Sequence, residues 1–94
     1  MSNNFRIFET KEFADSIGKL DSKDIRIIQN KLSKSIYPQL KTEPFWGHNI
    51  KKLRDYNPTT WRYRIGNFRI FYIIDKKEKI VYLLTIKARK DAYK

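Results

Sequence analysis

Residues 61–74 constrain the fold more than any other stretch. Trp61, Tyr63 and Ile65 alternate with Arg62 and Arg64, Gly66-Asn67 follows, and Phe68 opens a second run of apolar residues interrupted only by Arg69. A period of two marks strands. A Gly at the first of two central residues accepts the positive φ that tight hairpin turns demand. The register then follows by counting: Ile65 lies opposite Phe68, Arg64 opposite Arg69, Tyr63 opposite Ile70 and Arg62 opposite Phe71. Because side chains alternate across a strand, Arg62, Arg64 and Arg69 share one face, and Trp61, Tyr63, Phe68 and Ile70 take the other. Like charges directly opposite one another cost a few tenths to ~1 kcal/mol, so the arginines either splay into water or hold an anion. The expected geometry is an apolar face under helices and a cationic face open to a ligand.

The rest of the chain supplies those helices. Residues 4–8 read as a short strand, with Phe5 and Ile7 on one face and Arg6 on the other. Thr10 is a candidate N-cap, with Glu12 in the first turn of a helix carrying Phe13, Ile17 and Leu20 on one stripe. Gly18 weakens its end. Asp21-Ser22 offers the cap of a second helix, in which Ile25, Ile28, Leu32 and Ile36 recur at helical spacing until Pro38 stops the run. Residues 38–59 lack periodicity and read as loop, punctuated by Pro38, Pro44, Gly47, Asn57 and Pro58. Beyond the hairpin, Lys76-Lys77-Glu78-Lys79 is a polar reversal and residues 80–86 form a third strand, nearly all apolar. The predicted order is β-α-α-β-β-β: one α+β domain over residues 1–94, a helical hairpin packed on a small antiparallel sheet.

Composition narrows the function. The 94 residues hold no cysteine and one histidine, His48. That excludes a disulfide framework, a thiolate metal site, a cysteine nucleophile and the usual Ser-His or multi-His constellations. No apolar run approaches the ~18 residues of a membrane span, and residues 1–6 have no secretory character; a cytoplasmic protein is the expectation. The formal net charge is +11. It is uneven: residues 1–48 carry eight basic and six acidic side chains, residues 49–94 thirteen and four. A small domain with one strongly basic half expects a polyanion, nucleic acid first and an anionic membrane or acidic protein after; the plain alternative is a solvated cationic surface. Arginine forks donate paired charge-assisted bonds to phosphate, and several converging on one phosphate could stabilise a phosphoryl transition state. A basic face with interleaved rings also suits single-stranded RNA. From residues alone, binding and catalysis both stay open.

Three segments carry a resemblance: Asn49-Ile50-Lys51-Lys52-Leu53-Arg54, the run from Trp61 through Ile70, and Ile86-Lys87-Ala88-Arg89-Lys90-Asp91-Ala92-Tyr93. Together they resemble the RelE/ParE superfamily of toxins from toxin–antitoxin modules, over nearly the whole chain. The resemblance implies a RelE-like fold, an acidic cognate antitoxin, and one of two activities. RelE-type toxins cut mRNA in the ribosomal A site without a metal or cofactor, whereas ParE-type toxins inhibit DNA gyrase. A catalytically inactive relative that binds nucleic acid or antitoxin is a third possibility.

Carried over by position, the RelE-type catalytic set falls on Arg62, Arg64, Arg69, Arg89 and Tyr93, with Arg54 at a further basic position. Arg62 and Arg64 stand where the best-known member has lysines, and Tyr93 is two residues closer to Arg89 than there. Filling of the whole set favours the ribonuclease branch. The four arginines would hold the phosphate. Arginine keeps its proton at any working pH, which leaves Tyr93 as the base, as a stacking surface, or as a packing residue. Many relatives carry histidine at the position of Ala88. Lys51, Lys52, Lys87 and Lys90 are candidate RNA contacts. Lys51, Lys52, Lys76, Lys77 and Lys79 read equally as solvated loop residues, and His48 as a surface or packing residue. Asp55 and Asp75 lie in a loop and at a turn, and Trp61 reads as core. As a surface residue, Arg69 is expected to tolerate replacement by alanine without loss of the fold.

Overall fold

The computed structural model describes residues 4–89. In chain order the elements are β1 (Arg6–Glu9), α1 (Lys11–Gly18), α2 (Ser22–Lys31), a π-helical turn (Leu32–Ile36), α3 (Tyr37–Thr42), β2 (Ile50–Lys52), β3 (Trp61–Ile65), β4 (Phe68–Asp75) and β5 (Ile80–Ala88). The strands form one sheet in the order β1-β5-β4-β3-β2, with the helices covering one face.

The β3–β4 hairpin has the counted register at each of its four expected pairs. Gly66 sits at φ 53°, the left-handed conformation that a side chain disfavours. At the far end of β4, the Asp75 carboxylate accepts the Glu78 N–H at 2.9 Å and closes the polar reversal. β5 then returns antiparallel along β4. Both expected caps form: Thr10 accepts from the Phe13 amide, and Asp21 from that of Asp24.

The expectation of an antiparallel sheet needs correction. β1 pairs parallel with β5, Ile7 opposite Val81 and Phe8 opposite Tyr82, so the sheet is mixed. A parallel neighbour requires a long crossover, and here the helical layer together with β2, β3 and β4 intervenes between the two strands. β5 therefore lies inside the sheet. Where it slips register against β4, between Phe71 and Tyr72, Leu84 is the extra residue. Thr10 secures this bulge, since its amide and its hydroxyl both donate to the Leu83 carbonyl, at 3.2 and 2.7 Å. Past the end of β1, the exposed edge of β5 gives its Ile86 N–H to the Ser16 hydroxyl of α1 at 3.0 Å.

Two further expectations fail for local reasons. Pro38 does not end the second helix. The preceding turn widens to a π-turn, the Tyr37 amide bonding to the Leu32 carbonyl, and Pro38 then falls in the first turn of α3, where its missing N–H costs nothing. The helix thus runs on to bury Leu40. Residues 50–52, read as loop, form an edge strand on β3, with Ile50 opposite Tyr63, Lys51 opposite Arg62 and Lys52 opposite Trp61. Three residues are too few to show a period.

The core joins Phe13, Ile28, Leu32, Ile36 and Leu40 from the helices to Tyr63, Ile65, Ile70, Tyr72, Val81, Leu83 and Ile86 from the sheet. Ile17, Leu20, Trp61 and Phe68 pack partly buried against it, as their faces predict. Each fully buried aliphatic or Phe side chain contributes about 1.5–3 kcal/mol. The segment after α3 is tied down by phenols. Tyr72 donates to the Pro44 carbonyl at 2.7 Å, and Tyr63 donates to Gln39, which in turn donates to the Trp46 carbonyl. Burial, and secondarily the charges of Tyr63 and Glu43, push the Tyr72 phenol far above its ordinary pKa. Tyr37, donating to the Glu9 carboxylate, is raised as well, first by burial and then by that bond and charge. Among the described residues no helix is long and apolar enough to cross a membrane.

Candidate nucleic-acid interface

Strand register builds the site. Arg64 lies opposite Arg69, and Arg69 lies opposite Lys87, so three cations from β3, β4 and β5 form one row across the uncovered face. The next row on that face begins with Lys51 and Arg62 and continues into Phe71 and Thr85. Opposed side chains in a sheet stand about 4.5–5.5 Å apart at Cβ, so these five cations repel one another unless an anion sits among them. Arg89 adjoins the same end: its amide donates to the Asn67 carbonyl at 2.6 Å, next to the hairpin turn. The face therefore collects Lys51, Arg62, Arg64, Arg69 and Lys87, with Arg89 at its border.

Arg69 differs from its neighbours. It shares their face, but it is only 4% exposed, where an open cationic strip was expected. Its guanidinium curls back toward the turn and donates to the Gly66 and Phe68 carbonyls at 3.2 and 3.0 Å. A buried charge is tolerated only when it is hydrogen-bonded, and these carbonyls belong to the turn that sets the register of the whole row. Arg69 thus holds the hairpin end in shape, and the expectation that alanine there spares the fold is withdrawn. Arg64, Lys87 and Arg89 are exposed or partly so, as is Arg62. These side chains are the ones available to a ligand.

Beside Arg64 is a cavity of about 220 Å³, whose polar lining comes from Lys31, Ser35 and Asn49 together with Arg64 itself. The π-turn brings Ser35 here and the edge of β3 brings Arg64, whose amide also donates to the Asn49 carbonyl at 2.9 Å. Sequence reasoning missed Lys31, Ser35 and Asn49. Lys31 and Ser35 were off the apolar helical stripe and looked like ordinary solvated positions, and only the tertiary crossing joins them to Arg64.

The remaining candidates are dispersed. Lys52 shares the parity of Ile50 and Trp61, so it leaves the cationic face and lines a cleft at the other end of the sheet. Arg54 is exposed in the loop beyond β2. Lys51 and Lys52 are strand residues instead of loop residues. His48 is exposed, and Trp61 packs against the core. Lys90 and Tyr93 lie outside the described residues.

The sheet thus carries a helical hairpin on one face and arginines in register on the other. The family model described as "ParE toxin of type II toxin-antitoxin system, parDE" matches residues 10–93, and the chain belongs to that family. Among solved structures it is similar to the toxin chain of an archaeal RelE–RelB complex from Pyrococcus horikoshii OT3, at 22% identity over 95% of this chain and 97% of that one, with TM-score 0.68. It is similar to RelBE2 of Mycobacterium tuberculosis at 22% identity, 92% of each chain and TM-score 0.70. It also resembles a mutant E. coli RelE in the free state, with two arginines replaced by alanine, at 14% identity over 96% of this chain and 88% of that one, with TM-score 0.67. At these identities the structural likeness speaks for the fold. No curated protein matches the sequence.

Proposed function

We propose that this toxin is a ribosome-dependent mRNA endoribonuclease, inhibiting translation from the cytoplasm. The observation that carries the reading is the row Arg64–Arg69–Lys87, flanked by Lys51 and Arg62, on the one face the helices leave uncovered. Such an array is suited to a phosphodiester. The ribose 2′-oxygen loses its proton and bonds to the adjacent phosphorus. The bond to the 5′-oxygen breaks and that oxygen takes up a proton, leaving a 2′,3′-cyclic phosphate and a free 5′-hydroxyl. Arg62, Arg64 and Arg89 bind the phosphate and the charge that builds on it, while Arg69 holds the hairpin that aims them. Tyr93 moves the proton or stacks on a base. Lys51, Lys87 and Lys90 hold the flanking backbone, and Arg54 a more distant part of it. The ribosome supplies the positioned A-site mRNA.

A cationic face of this kind also calls for an acidic partner, and the toxin–antitoxin complexes among the structures the chain resembles support an antitoxin in that place. The family description favours one second reading, inhibition of DNA gyrase through protein contacts alone. Primer extension on mRNA, with and without ribosomes, for wild type, Arg64→Ala and Arg89→Ala separates the two. New 5′-hydroxyl ends within codons, seen only with ribosomes and lost in both variants, are the expected result. Growth arrest without new ends, persisting in the variants, would move the assignment to gyrase.

A further inference from the structure

At the end of the sheet away from the hairpin turn lies a cleft of about 570 Å³, walled by the rings of Phe45 and Trp61, reached at its border by Tyr82, and flanked by Lys52 and Lys76. We propose that it is a second RNA contact, taking one unpaired base against its Phe45–Trp61 corner and the adjoining phosphates on its lysines. The inference rests on reading the chain as an RNA-acting toxin, and it adds a site separate from the cationic rows.

The geometry fits a flat ring. Phe45 and Trp61 stand edge to face, centroids 5.5 Å apart at 76°, so they form a corner that offers a planar group one face and one edge. Phe45 is braced from behind by Phe5, at 5.9 Å and 76°. The Pro44 carbonyl just before it is fixed by the buried Tyr72 hydroxyl. The corner is therefore preformed, as small-ligand sites of ~300–1,000 Å³ generally are. Lys76 extends its ammonium over the Phe45 ring, 5.5 Å from the centroid, so a cation stands at the corner, free to swing from the ring to a phosphate. Lys52 approaches from the edge strand. The one carboxylate in the lining, Asp75, already accepts from the Glu78 amide.

Trp46 (78%) in the connection before β2 and Tyr56 (54%) in the connection after it are also exposed, and rings together with cations suit single-stranded nucleic acid. An acidic peptide would use the lysines equally well, but it has no need of the Phe45–Trp61 corner. The balance of the lining therefore favours a nucleotide.

The test uses the purified full chain and a labelled 2′-O-methyl-uridine decamer, which lacks the 2′-hydroxyl needed for cleavage. Lys52→Glu/Lys76→Glu is compared with Lys34→Glu/Lys77→Glu, an equal charge change on exposed residues outside the cleft. The cleft pair is expected to weaken binding at least about fivefold more than the control pair. It should also lower the slope of log affinity against log salt by about 1.4, for two phosphates at ~0.7 each. In Trp46→Phe, where Trp61 is the one remaining indole, the decamer should quench fluorescence, and ultraviolet cross-links should map to Phe45, Trp61 or Tyr82. Equal effects of the two charge pairs, or cross-links confined to the arginine rows, would overturn the cleft and leave the nuclease reading standing. Unchanged RNA affinity with weakened antitoxin binding would overturn it in favour of a protein-docking cleft. The assay contains no ribosomes, so a failure of ribosome-dependent cleavage is read separately.

Discussion

The two ends of the sheet achieve order by different means. At the hairpin end, backbone register places cations in rows, and a single buried arginine bonded to turn carbonyls holds the geometry. At the other end, ring packing and a phenol bonded to the Pro44 carbonyl hold a preformed cleft. The first arrangement is costly in charge repulsion and is relieved by an anion. The second is stable as it stands and gains from a ligand only what a new ring contact adds. The contrast teaches that, on one small sheet, charge concentrated in register marks where chemistry can occur, whereas aromatic packing marks where a partner can be gripped.

The comparison breaks most severely at Arg69. Arg69→Ala removes a buried, hydrogen-bonded cation and should destabilise the chain by about 2–4 kcal/mol, read as a lower denaturation midpoint, with activity lost as a consequence. Arg64→Ala sharpens the contrast. On the same face but exposed, it should change stability by less than about 0.5 kcal/mol yet cut ribosome-dependent cleavage by about 10²-fold, measured by primer extension. A fall in stability matching that of Arg69→Ala would erase the distinction between holding and binding.

At the other end, Tyr72→Phe strands the Pro44 carbonyl and should cost about 1–2 kcal/mol. Its pH dependence has a definite sign. The Tyr72 phenol is raised by burial, so the unfolded chain releases its proton first, near pH 10. The stability associated with the neutral phenol is whole below pH 10 and is lost as pH climbs above it. Tyr72→Phe should flatten part of that alkaline decline; an unchanged decline would show that Tyr37 and other groups account for it. The smallest effect is expected at Thr10→Ala, about 1 kcal/mol, read as a lower denaturation midpoint, because the cap of α1 and one bond to the β5 bulge are lost while the Thr10 amide bond remains.

The hairpin was legible because a Gly-Asn turn and a strict period of two leave one register, and with it the face on which Arg62, Arg64 and Arg69 must lie. Parity determines a face and says nothing of how far a long side chain folds along it. The burial of Arg69 was therefore invisible in the sequence, although Arg64 next to it is exposed as expected. The parallel pairing of β1 was hidden because a four-residue strand carries no mark of its partner. The π-turn was hidden because Pro38 has the same meaning to a pattern whether the preceding turn closes on four residues or five. Lys51 and Lys52 read alike as loop cations, yet as neighbours on a strand they go to opposite faces. Lys87 stood out as a cation after the last apolar strand, but its place opposite Arg69 required the bulge at Leu84 to be seen.

The parallel seam between β1 and β5 has a consequence for the timing of synthesis. Chains are made from the N-terminus onward, and contacts between distant segments are slow to form. β5 is the last of the five strands to be translated, and it lies between β1 and β4. Until it docks, β1 has no neighbouring strand, the Leu83 carbonyl that receives Thr10 is missing, and Lys87 is absent from the row it shares with Arg64 and Arg69. The cationic array is therefore unfinished while the ribosome is still building the strands that compose it. A chain with the activity proposed above thus spares the machine that makes it until its own sheet has closed.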